Sequence, residues 1–151
     1  MKQLIAFALL IGALALMSGC RSIGGNGTHS EQEAMEEENA VEIAMGNKIL
    51  KAIRDNNYPH FIAPMTDEMK TNITQKDFNT SREGIEKNFG KIVNSHFLTS
   101  LKTPAVKNLI WTVTFERKSS DKKTTITQQL LFRLVTGTID GKVYVTSLGF
   151  L

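Results

Sequence analysis

Two periodicities divide the chain. Between Ser30 and Arg54 apolar residues recur at Val41, Ala44, Met45, Ile49, Ala52 and Ile53. Spacings of three and four put these on one stripe and predict a long amphipathic helix. Ser30 followed by Glu33 fits a capping box at its start, and Gly46 is a weak point within it. Asp55-Asn56-Asn57 and then Pro59 stop it. Shorter helices are predicted over Pro59 to Ala63, after Thr66, and from Thr74 through Phe89. The last has a further capping box at Thr80 and Glu83, with Gly90 as its C-terminal cap.

From Lys91 onward the period falls to two. Ile92 to Leu101 predicts a strand, with His96 on the face opposite Val93, Phe97 and Leu101. Leu109, Trp111, Val113 and Phe115 then alternate with Ile110, Thr112, Thr114 and Glu116, the pattern of a half-buried strand. Lys118 to Lys123 is a polar hairpin tip. Thr124 to Thr136 predicts a third strand with Ile126, Leu130, Phe132 and Leu134 on one face, and Gln129 and Arg133 on the exposed one. Gly137 and Asp140-Gly141 mark a turn, and Lys142 to Phe150 a fourth strand. Helices followed by four antiparallel strands predict an α+β domain, with the long helix lying across a bent sheet.

The first twenty residues follow neither period. Leu4 to Met17 (LIAFALLIGALALM) is an apolar run of fourteen residues after a single Lys2. That is the length of a secretory h-region and short of the roughly 18–20 residues of a spanning helix. Met17-Ser18-Gly19-Cys20 resembles the bacterial lipoprotein signal. The resemblance implies removal of residues 1–19, lipid on Cys20 and attachment to a membrane through two or three acyl chains. The alternative is an ordinary signal peptide with a stray cysteine. Arg21 after Cys20 implies, by the same resemblance, the outer membrane if the source is Gram-negative. Residues 20–30, with Gly24, Gly25 and Gly27, read as a flexible tether, and 31–151 as a single domain. Cys20 is the only cysteine, so the domain is expected to stand on its core without a disulfide.

Charge adds little to this picture. Six acids and no Lys or Arg lie between Glu31 and Glu42, while Ile43 to Leu151 carries sixteen Lys/Arg against nine Asp/Glu. Acids near a helix start complement its dipole, and scattered lysines form a solvated surface. Nucleic acid is not expected as a partner of an envelope protein.

The stretch ILKAIRDNNYPHFIAPMTDEMK, the passage KNFGKI into strands, and LIWTVTFER followed by hairpin-linked strands are similar to the nuclear-transport-factor-two-like fold, which includes SnoaL-like and cystatin-like domains. The resemblance covers roughly residues 35 to 151 and implies a cone-shaped domain with any pocket between the helices and the concave sheet. It also implies where acid and base groups of an enzyme would sit. The candidates are Asp77, His60 and His96, against plainer roles as a helix-start residue, a residue beside Pro59 and a surface histidine. Trp111 is expected in the core rather than stacked on a ligand, and Tyr58 at the start of a short helix. No H-E-x-x-H, C-x-x-C or G-x-S-x-G spacing occurs, so no metal, cofactor or nucleophile elbow is expected. The expected function is a non-catalytic envelope lipoprotein that binds a small apolar ligand, a peptide or an envelope protein, with the outer sheet face open to homodimerisation. The alternative is a small hydrolase, isomerase or dehydratase-like enzyme.

Overall fold

The computed structural model describes residues 27–121 and 123–151. The apolar run, Cys20 and the tether up to residue 26 lie outside the described residues. Helices α1 (Gly27–Glu38), α2 (Ala40–Arg54), α3 (Tyr58–Ile62), α4 (Asp67–Asn72) and α5 (Gln75–Phe89) precede strands β1 (Lys91–Lys102), β2 (Lys107–Lys118), β3 (Thr125–Ile139) and β4 (Lys142–Phe150). The strands pair antiparallel in the order β1-β2-β3-β4 without closing, so the α+β class is as expected.

Alternation makes the sheet two-faced. Leu109, Trp111, Val113 and Phe115 of β2 and Phe132 and Leu134 of β3 are fully buried on the helix side. Trp111 stacks edge-on to Phe97 at 5.4 Å between ring centroids and lies 6.0 Å from Phe132, which continues to Phe150 at 5.3 Å. This run of rings crosses all four strands. It forms a continuous apolar floor on which the helices pack.

The long helix differs from its prediction in two ways. Asn39 interrupts it, with φ −110° and ψ 15°. Its buried side-chain amide donates to Met35 O at 2.7 Å and to Ser100 Oγ at 3.1 Å, an alternative partner for the helical backbone that lets the chain bend. The bend brings Met35 against the end of β1, where its sulfur accepts from Ser100 N at 3.4 Å. Helix α1 begins at Gly27, so Ser30 lies inside its first turns instead of capping it, and residues 27–30 of the expected tether are helical. The second difference is rotational. Helix α2 turns Glu42, Gly46 and Leu50 inward beside the expected Ile49, Ala52 and Ile53, leaving Val41 64% exposed and Ala44 exposed.

Gly46 explains that rotation. A Cβ built there would overlap the Cη2 and Cζ2 carbons of Trp111, so the missing side chain is what lets the helix backbone rest on the indole. Asn47 Oδ1 then accepts from Trp111 Nε1 at 3.0 Å. On the next turn up, Glu42 is 7% exposed and pairs with Lys107 Nζ of β2 at 2.9 Å. Helix and sheet are therefore registered by one close approach and two polar ties.

Helix α5 starts at a true capping box, but at Thr74 and Asp77 rather than at Thr80 and Glu83, which fall mid-helix. Thr74 Oγ1 accepts from Asp77 N at 3.2 Å, and the Asp77 carboxylate accepts from Thr74 N at 3.0 Å. Gly90 ends the helix with φ 98° and sits against the Glu116 carbonyl, where no side chain fits. Bulges between Ile92 and Asn94 and between Phe97 and Thr99 reset the alternation of β1. Val93 and Leu101 consequently leave the Phe97 face and are 44% and 66% exposed. Gly137 lies within β3 opposite Tyr144, and the turn is Asp140-Gly141 alone. Residues 64–66 lie along β4, with Val145 N donating to Pro64 O at 2.9 Å and Thr66 N to Val145 O at 3.2 Å.

Candidate functional site

The side chains that fill the helix side of the sheet leave a cleft at one end of it. Ile53 from α2, Phe61 from α3, Phe78 and Ile85 from α5, and Leu148 and Phe150 from β4 form its walls, around about 360 Å³. Phe78 anchors it, 4.7 Å from Phe61 and 5.8 Å from Tyr58 between ring centroids, and the Tyr58 hydroxyl donates to Ile73 O at 2.7 Å. Tyr58 thus opens α3 as expected while tying it to the loop before α5. The polar groups at the cleft are Asp77, Ser81 and Arg82. Arg82 donates to Glu86 through Nη1 at 2.8 Å, whereas its buried Nε has no hydrogen-bond partner. An apolar cleft edged by one guanidinium suits a small apolar molecule with at most one acceptor group.

Asp77 is poorly suited to proton transfer there. The Thr74 hydroxyl, and then the Thr74 amide, hold its carboxyl below the ordinary range, which favours the charged form and weakens it as a base. A depressed folded-state pKa stabilises the fold above the unfolded value of about 3.9, and that contribution disappears as pH falls through the folded pKa. Asp77→Asn is therefore expected to lower the urea midpoint at pH 7 and to have a smaller effect near pH 2. Thr74→Ala, which removes the cap itself, is expected to cost about 1 kcal/mol at neutral pH. An equal effect of Asp77→Asn at both pH values would contradict the role given to the carboxylate.

The three candidate proton carriers lie in different places. Asp77 edges the cleft, His60 is exposed on α3 beside a separate groove, and His96 is exposed on the outer face of β1 opposite Thr112. Trp111 is fully buried and so serves the core, as its alternation implied. Gln129 and Arg133 are exposed on the outer face. Among the described residues, no three His, Cys, Asp or Glu side chains gather as a metal ion would need, and no helix is long and apolar enough to cross a membrane. Cys20 lies outside the described residues.

A larger groove follows the outward flank of α2. Val41, Ala44, Met45 and Ala52 form one wall and Ala63 and Pro64 the other, around about 960 Å³. Lys48, Lys51, Asp55, Asn57 and His60 supply its polar groups. Lys51 and Arg54 both bond the Asp55 carboxylate, Lys51 most strongly, and hold it below the ordinary carboxyl range. Sequence reasoning missed this groove because it assigned Val41 and Ala44 to the core together with Met45, which does pack half-buried against it. The signal that could have exposed it is Leu50, which completes a second apolar stripe with Ile49 and Ile53 and competes for the inward position.

No protein-family model matches the chain, and no curated protein matches it. Among solved structures, it is similar to RPA3114, a SEC-C motif containing protein from Rhodopseudomonas palustris, at 10% identity over 67% of this chain and 71% of that one, with a TM-score of 0.47. It is also similar to AclR from Streptomyces galilaeus, a proposed hydroxylase, at 17% identity over 70% of this chain and 75% of that one, with a TM-score of 0.41.

Proposed function

We propose that the protein is a lipid-anchored component of the bacterial cell envelope, held through Cys20, whose nuclear-transport-factor-two-like domain is a non-catalytic module for a small apolar ligand or an envelope partner. The anchor rests on the resemblance of Met17-Ser18-Gly19-Cys20 to a lipoprotein signal, and the observation that carries the non-catalytic reading is the filled interior. Trp111, Phe115, Phe132 and Leu134 occupy the space between helices and sheet, and what remains at one end of the sheet is a small apolar cleft. The dispersal of Asp77, His60 and His96 further favours binding over proton transfer. Self-association through the outer sheet face belongs to the same proposal, since Leu131 is 41% exposed there between Gln129 and Arg133.

The test uses full-length protein extracted from envelopes in a mild detergent. Mass spectrometry is expected to find acyl mass on a peptide beginning at Cys20, lost in Cys20→Ser, and a small apolar molecule retained by the wild type. Ser81→Trp, which fills the cleft from its edge, should release that molecule without unfolding the domain. An unmodified Cys20 thiol in membranes would defeat the anchor, and a ligand retained unchanged by Ser81→Trp would defeat the cleft.

A further inference from the structure

Helix α2 carries more apolar surface than the core uses. Its inward stripe is complete with Gly46, Ile49, Leu50, Ala52 and Ile53, and Met45 packs half-buried beside it, yet Val41 and Ala44 continue the apolar surface past Met45 around its outer flank. A surface helix ordinarily has one apolar stripe and a charged opposite face. Here the second stripe lies in a concave groove, whose volume of about 960 Å³ falls within the range of small-molecule sites, roughly 300–1,000 Å³. From Val41 to Lys48 the apolar part of the α2 wall runs for about 10 Å at 1.5 Å per residue, long enough for the head-proximal half of a long acyl chain.

The groove is graded along its length. Val41, Ala44 and Met45 make the N-terminal half of the α2 wall apolar, while Lys48, Lys51, Asn57 and His60 gather toward the other end. Its carboxylate, Asp55, is already bonded by Lys51 and Arg54. Lys48 takes part in no ion pair among the described residues. The complement of such a groove has an apolar chain and one anionic end. A second copy of the chain does not supply it, because a two-fold pairing of α2 flanks centred on the groove would set Lys48 against Lys48. A partner helix would have to take both Lys48 and Asp55 into its seam, since the apolar positions are interrupted every second turn.

We propose that this groove binds a single-chain anionic amphiphile, its acyl chain lying on Val41, Ala44 and Met45 and its head held by Lys48. The methylene stems of Lys48 and Lys51 extend the apolar wall, while the Lys48 ammonium meets the head and the Lys51 ammonium stays on Asp55. The site is separate from the cleft beside Phe78 and does not depend on acylation of Cys20.

The probe is hexadecanoic acid carrying a photoreactive diazirine, presented to full-length protein in zwitterionic phospholipid vesicles, with adducts mapped by mass spectrometry. Adducts are expected on residues 41–52 and 60–64 and should be displaced by unlabelled hexadecanoate. Lys48→Glu should lower them about tenfold, Lys48→Arg should restore them, and the uncharged methyl ester of the probe should label as weakly as Lys48→Glu. Lys48 is exposed, so these variants leave the fold in place. Adducts at the Phe78 cleft instead, labelling spread in proportion to exposed surface, or equal labelling by acid and ester would each overturn the proposal. So would protection of the Lys48 amine by an acidic helical peptide but not by hexadecanoate, which would assign the groove to a protein.

Discussion

Trp111→Ala is expected to destabilise the domain by about 3–5 kcal/mol, a large share of the roughly 5–15 kcal/mol that holds a typical domain together. The indole is fully buried, touches Phe97 and Phe132, and supports the backbone of α2 at Gly46. Its removal opens a cavity beneath α2, and it also leaves Asn47 without the donor it accepts from. Because Trp111 is the single tryptophan, the comparison must be made by circular dichroism in urea rather than by fluorescence. A loss below about 1 kcal/mol would mean that helix and sheet are not held together at this ring.

The second large effect comes from the other side of the same contact. Gly46→Val is expected to cost about 3 kcal/mol, although valine is the better residue in an isolated helix. The new side chain would have to occupy space held by the Trp111 ring, so α2 must lift off the sheet or the ring must turn. The two sites are coupled, which gives a sharper measurement than either alone. In a Trp111→Leu background the same Gly46→Val change should cost at least 1 kcal/mol less, read as a non-additive double-mutant cycle in urea midpoints. Additive costs would show that Gly46 is constrained by something other than the indole.

The strands were legible because alternation is a local signal. Leu109 to Phe115 and Phe132 to Leu134 lie on the face their pattern implied, and the sequence order of helices and strands is the order observed. The errors arose where a distant partner decides between local options. Asn39 breaks a helix because Ser100 is within reach of its amide. Gly46 looks weak in one dimension and is the closest contact in three. The capping box was misplaced for a local reason: the helix begins after Thr74 as its pattern implied, but its box is closed by Asp77, which answers Thr74 from both sides, and the better motif match at Thr80 and Glu83 falls mid-helix. Candidate chemistry was less legible still. Single histidines and a lone aspartate carry no period, and only the fold reveals that His60, His96 and Asp77 are kept apart.

The bulges of β1 have a consequence for crowded conditions. Among the described residues β1 has β2 as its only strand neighbour, and on its other side, where Ser95 N already donates to Asn94 Oδ1 and Ser100 N to the Met35 sulfur, the remaining amides and carbonyls form a row open to a passing chain. The two irregularities divide that row, and the regular stretch from Asn94 to Phe97 is only four residues long. A strand from a neighbouring molecule could stay in step for that distance and would then lose its partners. Straightening β1 by deleting one residue at either bulge would lengthen the template, and the price would be paid as filaments or precipitate rather than as a lower melting temperature.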